Sequence, residues 1–359
     1  MGAKCTCVSE ISRDENSLKL DVSKINDVEK SIEIEEKPVD SEDLVRLQGV
    51  IRGFMDRKKT KAIYNSSRNT KSRFSKKSPN PELGLVESVK TLEKIPDYSS
   101  LIVKKMQKKL GNYEFSSFDD KVKRISRGPV MLSNQAVYIG EWNLTEQRDG
   151  FGMQIWLDST VYEGTWKNDM PYKGRFIFGH GEVYDGEYLD NQACGKGSFY
   201  SINDSIYSGQ WLRDKRHGLG HESLSDGVIY KGEFYEDRKN GKGQMVFMDT
   251  SEYDGDFFDD HIHGIGKFIW ADGREYLGEF NYGKMHGKGI FIWPDGRKYE
   301  GEYLNDQKHG YGRFVTSANS MYEGDWRFGK KHGIGVQLSD NGISRKGEWE
   351  EGKRLRWID

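Results

Sequence analysis

The feature that most constrains the fold is a phrase, Tyr-x-Gly-x-aromatic, that recurs about every 23 residues through the last two thirds of the chain. Its copies begin at Tyr138, Tyr162, Tyr184, Tyr207, Tyr230, Tyr253, Tyr276, Tyr299 and Tyr322, and a degenerate tenth copy keeps Gly347 and Trp349 but has Arg345 in place of the tyrosine. A fixed period of this length indicates one supersecondary unit repeated in line, each unit burying its apolar surface against its neighbours. We therefore expect an extended array rather than a globular core.

Each unit carries two glycine-containing steps that predict its internal structure. A Gly-x-Gly step follows the tyrosine and often comes after histidine, as in His217-Gly218-Leu219-Gly220, and an Asp-Gly or Asn-Gly pair such as Asp272-Gly273 comes later. Such pairs favour the positive φ angles of two-residue hairpin turns. The predicted unit is strand, glycine-rich turn, strand, Asp-Gly turn. The predicted fold class is all-β, an elongated, twisted antiparallel sheet of consecutive hairpins, capped by a half-repeat at 128–134.

Strand periodicity separates two faces. Tyr276, Gly278 and Phe280 share one face, whereas Leu277 and Glu279 share the other. One face is predicted to be an aromatic ladder, in which the glycine leaves room for a neighbouring repeat's ring; its residues are Tyr138, Trp142, Tyr162, Trp166, Tyr184, Tyr207, Trp211, Tyr230, Tyr253, Tyr276, Tyr299, Tyr322 and Trp326. The opposite face carries an acidic stripe of Glu141, Glu187, Glu233, Asp256, Glu279, Glu302, Asp325 and Glu348. This stripe is either a solvated face or a site for a basic partner.

The stretch YLGEFNYGKMHGKGIFIWPDG, together with its copies over about 138–344, resembles the MORN repeat family. The resemblance implies one hairpin per repeat and a protein that scaffolds, dimerises or lies near membranes. A homodimer and a protein partner of the array, not identified by the sequence, are therefore open expectations. The copy at Tyr162 departs from the pattern because Met170-Pro171-Tyr172-Lys173 replaces the His-Gly step with one residue fewer. We expect a bend or an altered turn there.

The repeats offer little for catalysis. Five histidines recur at one repeat position: His217, His263, His286, His309 and His332. Histidines of neighbouring repeats should lie two strands apart, roughly 9.6 Å, which is too far for both to bind one zinc ion easily at a zinc–nitrogen distance of about 2.1 Å. We predict them to be turn residues. The Gly-x-Gly steps lack the Lys-Ser/Thr of a phosphate-binding loop. No nucleophile elbow occurs, and no room for a catalytic domain is expected after the array, so we predict a protein without enzymatic activity, cofactor or metal.

Composition and charge limit the remaining functions and the compartment in which the chain is found. A net charge of −2 gives no field for nucleic acid, and three cysteines in a chain without a secretory signal indicate a reducing compartment. Cys194 is expected to be incidental. The predicted organisation is an acylated flexible segment at 1–40, a helix with a polybasic segment at 41–78, a linker with short helices at 79–127, and the array at 128–359.

Apolar residues spaced by three and four predict a helix beginning near residue 44. Within it, LQGVIRGFMDR resembles the IQ motif, and the resemblance implies binding of calmodulin or a centrin-like protein through Leu47, Gln48, Ile51, Arg52, Gly53, Phe54 and Arg57. The alternative is an ordinary amphipathic helix packed on the array. The basic run that follows is predicted to contact an anionic leaflet, with a solvated linker, a nuclear signal or an RNA contact as alternatives; it contains Lys58, Lys59, Lys61, Arg68, Lys71, Arg73, Lys76 and Lys77.

The first residues, MGAKCTC, fit the pattern for N-myristoylation at Gly2, with palmitoylation at Cys5 and Cys7. One myristoyl chain holds a protein at a membrane only marginally, so the second signal matters. The sequence predicts a scaffold at the cytoplasmic face of the plasma or ciliary membrane. A structural component of the ciliary axoneme or cortical cytoskeleton, resembling radial-spoke heads and holding a resident calmodulin or centrin, is the alternative. A remote third is an accessory to phosphatidylinositol phosphate kinase signalling.

Overall fold

The computed structural model describes residues 90–98, 100–115 and 122–358. The predicted acylation sites, IQ-like helix and polybasic segment lie outside the described residues. Within them the chain forms 22 strands and one helix, α1 (Leu101–Leu110). The strands are β1 (Lys90–Thr91), β2 (Arg124–Met131), β3 (Val137–Asn143), β4 (Arg148–Ile155), β5 (Val161–Lys167), β6 (Met170–Ile177), β7 (Val183–Leu189), β8 (Gln192–Tyr200), β9 (Ile206–Leu212), β10 (Lys215–Ser223), β11 (Ile229–Tyr235), β12 (Arg238–Val246), β13 (Glu252–Phe258), β14 (His261–Ile269), β15 (Glu275–Asn281), β16 (Lys284–Ile292), β17 (Lys298–Leu304), β18 (Gln307–Val315), β19 (Met321–Arg327), β20 (Lys330–Leu338), β21 (Ser344–Glu350) and β22 (Lys353–Trp357).

Every strand pairs antiparallel with its neighbours in sequence, from β1 with β2 to β21 with β22. The prediction of an all-β sheet of consecutive hairpins is confirmed. At roughly 4.8 Å between strands, the sheet measures on the order of 100 Å across its strands. Strand β2 contains residues 128–131 of the predicted half-repeat and pairs with β3.

The hairpin turn inside each repeat lies earlier than the sequence predicted. In the repeat of β17 and β18, the turn residues are Asn305 and Asp306, both with positive φ (50° and 70°), as a type I′ turn requires. The Gly-x-Gly step instead lies within the second strand. There Gly301 pairs with Gly312, but the next residue, Glu302, pairs with His309, so two residues bulge out. The prediction of a glycine-rich turn was therefore wrong, and the histidines are strand residues beside a bulge.

The Asp-Gly pairs connect one repeat to the next, in a loop of a different length from the one predicted. Trp270 N donates to Arg274 O, and Gly273 N donates to Trp270 O, both at 2.9 Å. These bonds enclose a three-residue loop in which only Gly273 has a positive φ, of 84°. The predicted two-residue turn is replaced by a type I turn followed by a left-handed glycine.

The irregular copy at Tyr162 keeps its hairpin turn and changes its bulge. Thr165 pairs with Lys173, and Trp166 pairs with Pro171, so one residue bulges out instead of two. The missing residue is thus absorbed in the strand. The expected alteration is present, but it is in the bulge and not in the turn.

Helix α1 begins at an N-cap formed by Ser100, whose Oγ accepts a hydrogen bond from Val103 N at 3.2 Å, and it ends at Gly111 with φ of 74°. Val103 is fully buried against Val161, Ile177 and Val183 of the sheet. In the part of the chain that the structure describes, no helix has both the length and the apolar character needed to cross a bilayer.

Candidate functional site

The face that carries the aromatic ladder, here the aromatic face, is closed by its own side chains. All thirteen ladder residues are less than a tenth exposed. The rings meet edge to face both within a repeat and between repeats: Tyr276 lies 5.0 Å from Phe280 and 5.3 Å from Tyr303, between ring centroids. Such pairs stabilise beyond the burial of their area. Burial also raises the pKa of these tyrosines, because it penalises the phenolate.

The glycines of the aromatic face make room for a tyrosine of their own repeat. Gly278 pairs with Gly289, and a Cβ on Gly289 would lie 2.5 Å from Cε2 and 2.6 Å from Cζ of Tyr276. The Tyr276 hydroxyl donates to Glu279 O at 3.0 Å. The same bond to the residue three positions ahead recurs in the nine repeats from Tyr138 to Tyr322. The repeat's own tyrosine thus fills the space above the glycines, and a ring of the next repeat also contacts them where it is a tryptophan, as Trp211 Nε1 donates to Gly197 O at 3.0 Å.

The acidic stripe lies on the opposite side, here the outer face, and has a structural function. Glu279 Oε1 accepts a hydrogen bond from Lys288 N at 2.9 Å, the amide that the bulge removes from the strand ladder. An equivalent bond occurs for Glu141, Glu187, Glu233, Asp256, Glu302 and Asp325. Gln210 accepts the same bond from Leu219 N at 2.7 Å, so the interaction requires an acceptor but not a charge. Neither of the two interpretations from the sequence included this function.

Two repeats without the full bulge lack this bond. In the copy at Tyr162, the position is occupied by Thr165, whose Oγ1 donates to Lys173 O at 3.0 Å. In the last repeat one residue bulges out, and Glu348 pairs with Arg356 at 2.8 Å. The amide bond is therefore lost where the bulge is shortened, with a change of residue in the copy at Tyr162 and with the acid retained in the last repeat.

Aspartates in the hairpin turns connect successive repeats. Asp306 Oδ1 accepts from Met285 N at 2.8 Å, and Asp306 N donates to Met285 O at 2.9 Å. The same side-chain bond is made by Asp169, Asp214, Asp237 and Asp260. Each of these five turns is thus hydrogen-bonded to the start of the second strand of the preceding repeat.

Cations lie under the rings of the aromatic face, at a position that sequence reasoning missed. Lys239 Nζ is 2.6 Å from Glu222 Oε2, and Arg216 pairs with both Glu222 and Asp237. Burial opposes ionisation of Glu222, but Lys239 and Arg216 outweigh it and lower its pKa to about 2. The signal that could have identified this group is the position nine residues after the repeat tyrosine, which holds Arg or Lys in several copies.

Lys308 occupies the same position in a later repeat with rings for neighbours. Its Nζ lies 4.3 to 5.0 Å from the centroids of four rings, those of Trp293, Tyr299, Phe314 and Trp326. Burial, reinforced by Arg297 and Lys331, lowers the pKa of Lys308 to about 7. The rings favour the ammonium form through cation–π attraction, which offsets part of this cost.

Helix α1 and the residues after it cover the outer face of the first repeats. Gln107 Nε2 donates to Glu163 Oε1 at 3.2 Å, and Arg175 Nη2 donates to Glu163 Oε2 at 2.6 Å and to Gly111 O at 3.0 Å. The Arg175 guanidinium lies 5.5 Å from the ring centroid of Tyr113, and burial raises the pKa of Tyr113 to about 12. This segment is the part of the predicted linker at 79–127 that the structure places on the array.

The recurring histidines contact aromatic rings. His217 lies 5.4 Å from Tyr235, and His309 lies 5.4 Å from Phe328, between ring centroids. Among the described residues, no three or more His, Cys, Asp or Glu side chains come together as a metal site. Cys194 is buried.

The MORN repeat family matches eight segments of the chain, residues 162–171, 184–206, 207–229, 230–251, 253–273, 276–296, 299–320 and 322–344. The array is thus built of MORN repeats. The copy at Tyr138 forms the same kind of hairpin, β3 with β4, but lies outside the matched segments. No curated protein matches the chain.

Several solved structures are similar to parts of the sheet. The TCP domain of Drosophila melanogaster SAS-4, in complex with a proline-rich motif of Ana2, is 14% identical over 44% of this chain and 86% of that domain, with a TM-score of 0.29. The TCP10 domain of Danio rerio CPAP is 13% identical over 57% and 98%, with a TM-score of 0.34. Virginiamycin B lyase from Staphylococcus aureus is 12% identical over 64% and 89%, with a TM-score of 0.13. At these values none of them bears on the function of this chain.

Proposed function

We propose that this protein is a non-enzymatic MORN scaffold, held at the cytoplasmic face of a membrane by N-terminal acylation and bound to a calmodulin-like protein. The observation that carries the membrane part is the motif at residues 1–7, in which Gly2, Cys5 and Cys7 supply sites for two kinds of acyl chain. Two chains give stable anchoring where one gives marginal binding, around 10⁴ M⁻¹.

The array supports the scaffold part of the proposal. Its repeats are rigid because each tyrosine packs on the glycines of its repeat, an acidic or amide side chain binds the free amide of each full bulge, and the turn aspartates bind the preceding repeat. Two charged groups with strongly perturbed pKa values are held inside the sheet: Glu222 pairs with Lys239 and Arg216, and Lys308 is surrounded by four rings. A rigid sheet of this kind suits the presentation of partners at fixed spacing.

Metabolic labelling with an alkyne-myristate tests the anchor. We expect label on the wild-type chain, none on Gly2→Ala, and loss of membrane localisation in the variant. Cys5→Ser with Cys7→Ser is the matched control, since it should keep the myristate label but reduce stable membrane retention. An unlabelled wild-type chain whose localisation does not change in Gly2→Ala would contradict the proposal.

The segment containing residues 47–57 is proposed to bind calmodulin or a centrin-like protein, and calcium to release the neighbouring basic run from the leaflet. Calorimetry on the full chain with and without Ca²⁺ tests binding. Ile51→Asp should abolish it because it removes an apolar anchor, whereas Lys58→Gln, outside the motif, should not. Identical membrane binding of the basic segment in vesicle flotation with and without Ca²⁺-calmodulin would contradict the release step.

The length of the array favours a second candidate, a structural component of the ciliary axoneme or cortical cytoskeleton. A sheet on the order of 100 Å across can bridge separate filaments or subunits. Detergent extraction distinguishes the two, because a cytoskeletal component stays in the pellet after the membranes dissolve. Release of the protein into the detergent phase would leave the membrane scaffold as the function.

A further inference from the structure

Helix α1 has a second face that the sheet does not cover. The first, formed by Val103, Met106 and Leu110, packs on β5–β7. On the solvent side, the Leu101 side chain is 85% exposed, and Ile102, at the edge of this side, is 52% exposed and also lies against Gly181 of the array. Large apolar side chains that are this exposed and adjacent on a fixed helix usually belong to a contact surface.

Four lysines lie on this same side. Leu101, Lys104, Lys105 and Lys108 are spaced by three, four and seven residues and share one stripe, and Lys109 follows Ile102 by seven. All four lysines are exposed. We define this set of six residues as the basic face of α1.

Acidic neighbours offset only part of this charge. Lys104 lies 3.9 Å from Asp97, and Lys109 lies 2.8 Å from Asp204, with both pairs largely exposed. Exposed ion pairs are worth little and rearrange easily when a stronger field is offered. Glu114 is an exposed acid among the described residues 111–115 that follow α1.

The carboxylates of the sheet beneath α1 have cationic neighbours. In the repeat on which the helix packs, Thr165 stands where most other copies have a carboxylate, Glu163 is bound by Arg175 and Gln107, and Asp185 of β7 is attracted by Arg175 and Lys173. A flat negative surface can therefore approach α1 with little repulsion from the array. Exposed apolar side chains beside a group of lysines are what an anionic leaflet binds, the lysines by charge and the apolar groups by shallow insertion.

We propose that the basic face of α1 is a contact site for anionic phospholipid, through which the folded array itself lies on the leaflet. This inference rests on the proposed membrane scaffold and adds a contact separate from the acyl chains and the polybasic run. It would fix the orientation of the array, because α1 is packed rigidly on the first repeats.

Vesicle co-sedimentation of the full chain, prepared without N-myristoylation, tests the charge. The test variant carries Lys104→Gln, Lys105→Gln, Lys108→Gln and Lys109→Gln. The control carries the same change at four exposed array lysines, Lys284, Lys288, Lys346 and Lys353. Each lysine near an anionic surface raises the membrane partition coefficient by about a factor of five, and two of the four lysines here are partly neutralised by acids. We therefore expect the partition coefficient of the test variant on phosphatidylserine vesicles to be at least about tenfold lower than that of the wild type.

The control variant should retain the partitioning of the wild type, and none of the three should sediment with pure phosphatidylcholine. Equal partitioning of the test and control variants would overturn the proposal. Leu101→Ser tests the apolar part: we expect a several-fold loss on phosphatidylserine vesicles and an unchanged melting temperature, since the side chain does not pack on the sheet. An unchanged partition in Leu101→Ser would overturn shallow insertion.

Failure of this test is distinguishable from failure of the proposed function. The vesicle assay uses unacylated protein, and the difference between its test and control variants reports on α1 because both variants carry the same polybasic run, whereas the alkyne-myristate experiment reports only on Gly2.

Discussion

The packing of each repeat tyrosine on two glycines makes a quantitative prediction for Gly289→Ala. An added Cβ would lie 2.5 Å from Cε2 of Tyr276, a ring that is fully buried. Displacing the ring would break its hydrogen bond to Glu279 O, worth about 1 kcal/mol, and would disturb edge-to-face contacts with Phe280 and Tyr303 worth about 0.5–1.5 kcal/mol each. With the strain of overpacking added, we expect Gly289→Ala to cost about 3–5 kcal/mol of unfolding free energy.

The control for this prediction is Gly296→Ala. Gly296 has a positive φ of 85°, but a Cβ there would meet nothing within 4 Å. The substitution should therefore cost only the backbone strain, about 1–2 kcal/mol. The comparison separates a clash with a ring from a conformational preference, because Gly289 has no positive φ.

A double-mutant cycle with Tyr276→Ala identifies the ring as the cause. Tyr276→Ala alone should cost about 3–5 kcal/mol, but in its presence Gly289→Ala should cost less than about 1 kcal/mol, a coupling of at least about 2 kcal/mol. Urea unfolding gives the global values. Hydrogen exchange of the β15 and β16 amides gives the local free energies of opening, which are needed because a repeat array does not have to unfold in one step. Additive costs, or an equal cost for Gly296→Ala, would refute the packing argument.

Three further predictions follow from the polar groups of the repeats. Glu279→Ala should cost about 1 kcal/mol and Glu279→Gln only a few tenths, because the amide retains the acceptor for the bulge; equal losses in urea unfolding would contradict this. Glu222→Gln should cost about 3–5 kcal/mol, against at most about 0.5 for the exposed Glu236→Gln, because it breaks a buried ion pair. The lowered pKa of Glu222 means that its stabilisation is complete above about pH 4.5 and is lost as the pH falls towards 2, a loss that an acid titration of Glu222→Gln should not show. Lys308→Met should raise the unfolding free energy at pH 7 by about 2 kcal/mol, because it removes a buried ammonium group whose pKa is lowered from 10.5 to about 7. Between these pH values the unfolded chain binds one more proton than the folded chain, so wild-type stability should rise from pH 7 to 10. A wild-type pH profile parallel to that of the variant would contradict this.

The strands could be predicted from the sequence because alternation and the 23-residue period act locally. Tyr276 and Phe280 fall on one face and Glu279 on the other in any extended chain. The hairpin turns could not be located in the same way. A type I′ turn needs two positive φ angles, and the pairs that supply them range from Asn305-Asp306 to Tyr282-Gly283, with no single dipeptide to recognise.

The Gly-x-Gly step was misassigned to a turn because a left-handed glycine suits a bulge equally well. Gly287 has a φ of 55°, which a turn would also accept, and its place in β16 is fixed by Glu279 capping the next amide. One sequence signal was available. The copy at Tyr162 loses a residue and changes its acid to Thr165 together, which indicates that the two positions interact.

Burial of the aromatic face could not be derived from periodicity, because it depends on rings lying on the glycines of their own repeat. The chemistry of the acidic stripe was also hidden, since an exposed carboxylate and one that caps an amide look alike in sequence. Both facts required the register of β15 on β16, which places Gly278 against Gly289 and Glu279 beside the bulge.

These assignments limit where a partner of the array can bind. The aromatic face has no uncovered ring in the ladder, and every carboxylate of the stripe except Glu348 holds a backbone amide. The uncommitted apolar surface of the outer face lies at the centre of the Gly-x-Gly steps, where Leu219, Ile265 and Tyr311 are 65%, 59% and 55% exposed. Each of them pairs across the strands with one of the capping acids, as Ile265 does with Glu279. A partner that follows this row meets an apolar group in alternate repeats and a lysine, Lys242 or Lys288, in the repeats between them, with a carboxylate paired across the strands from each. We therefore expect the partner to be extended and to carry apolar side chains at the spacing of alternate repeats.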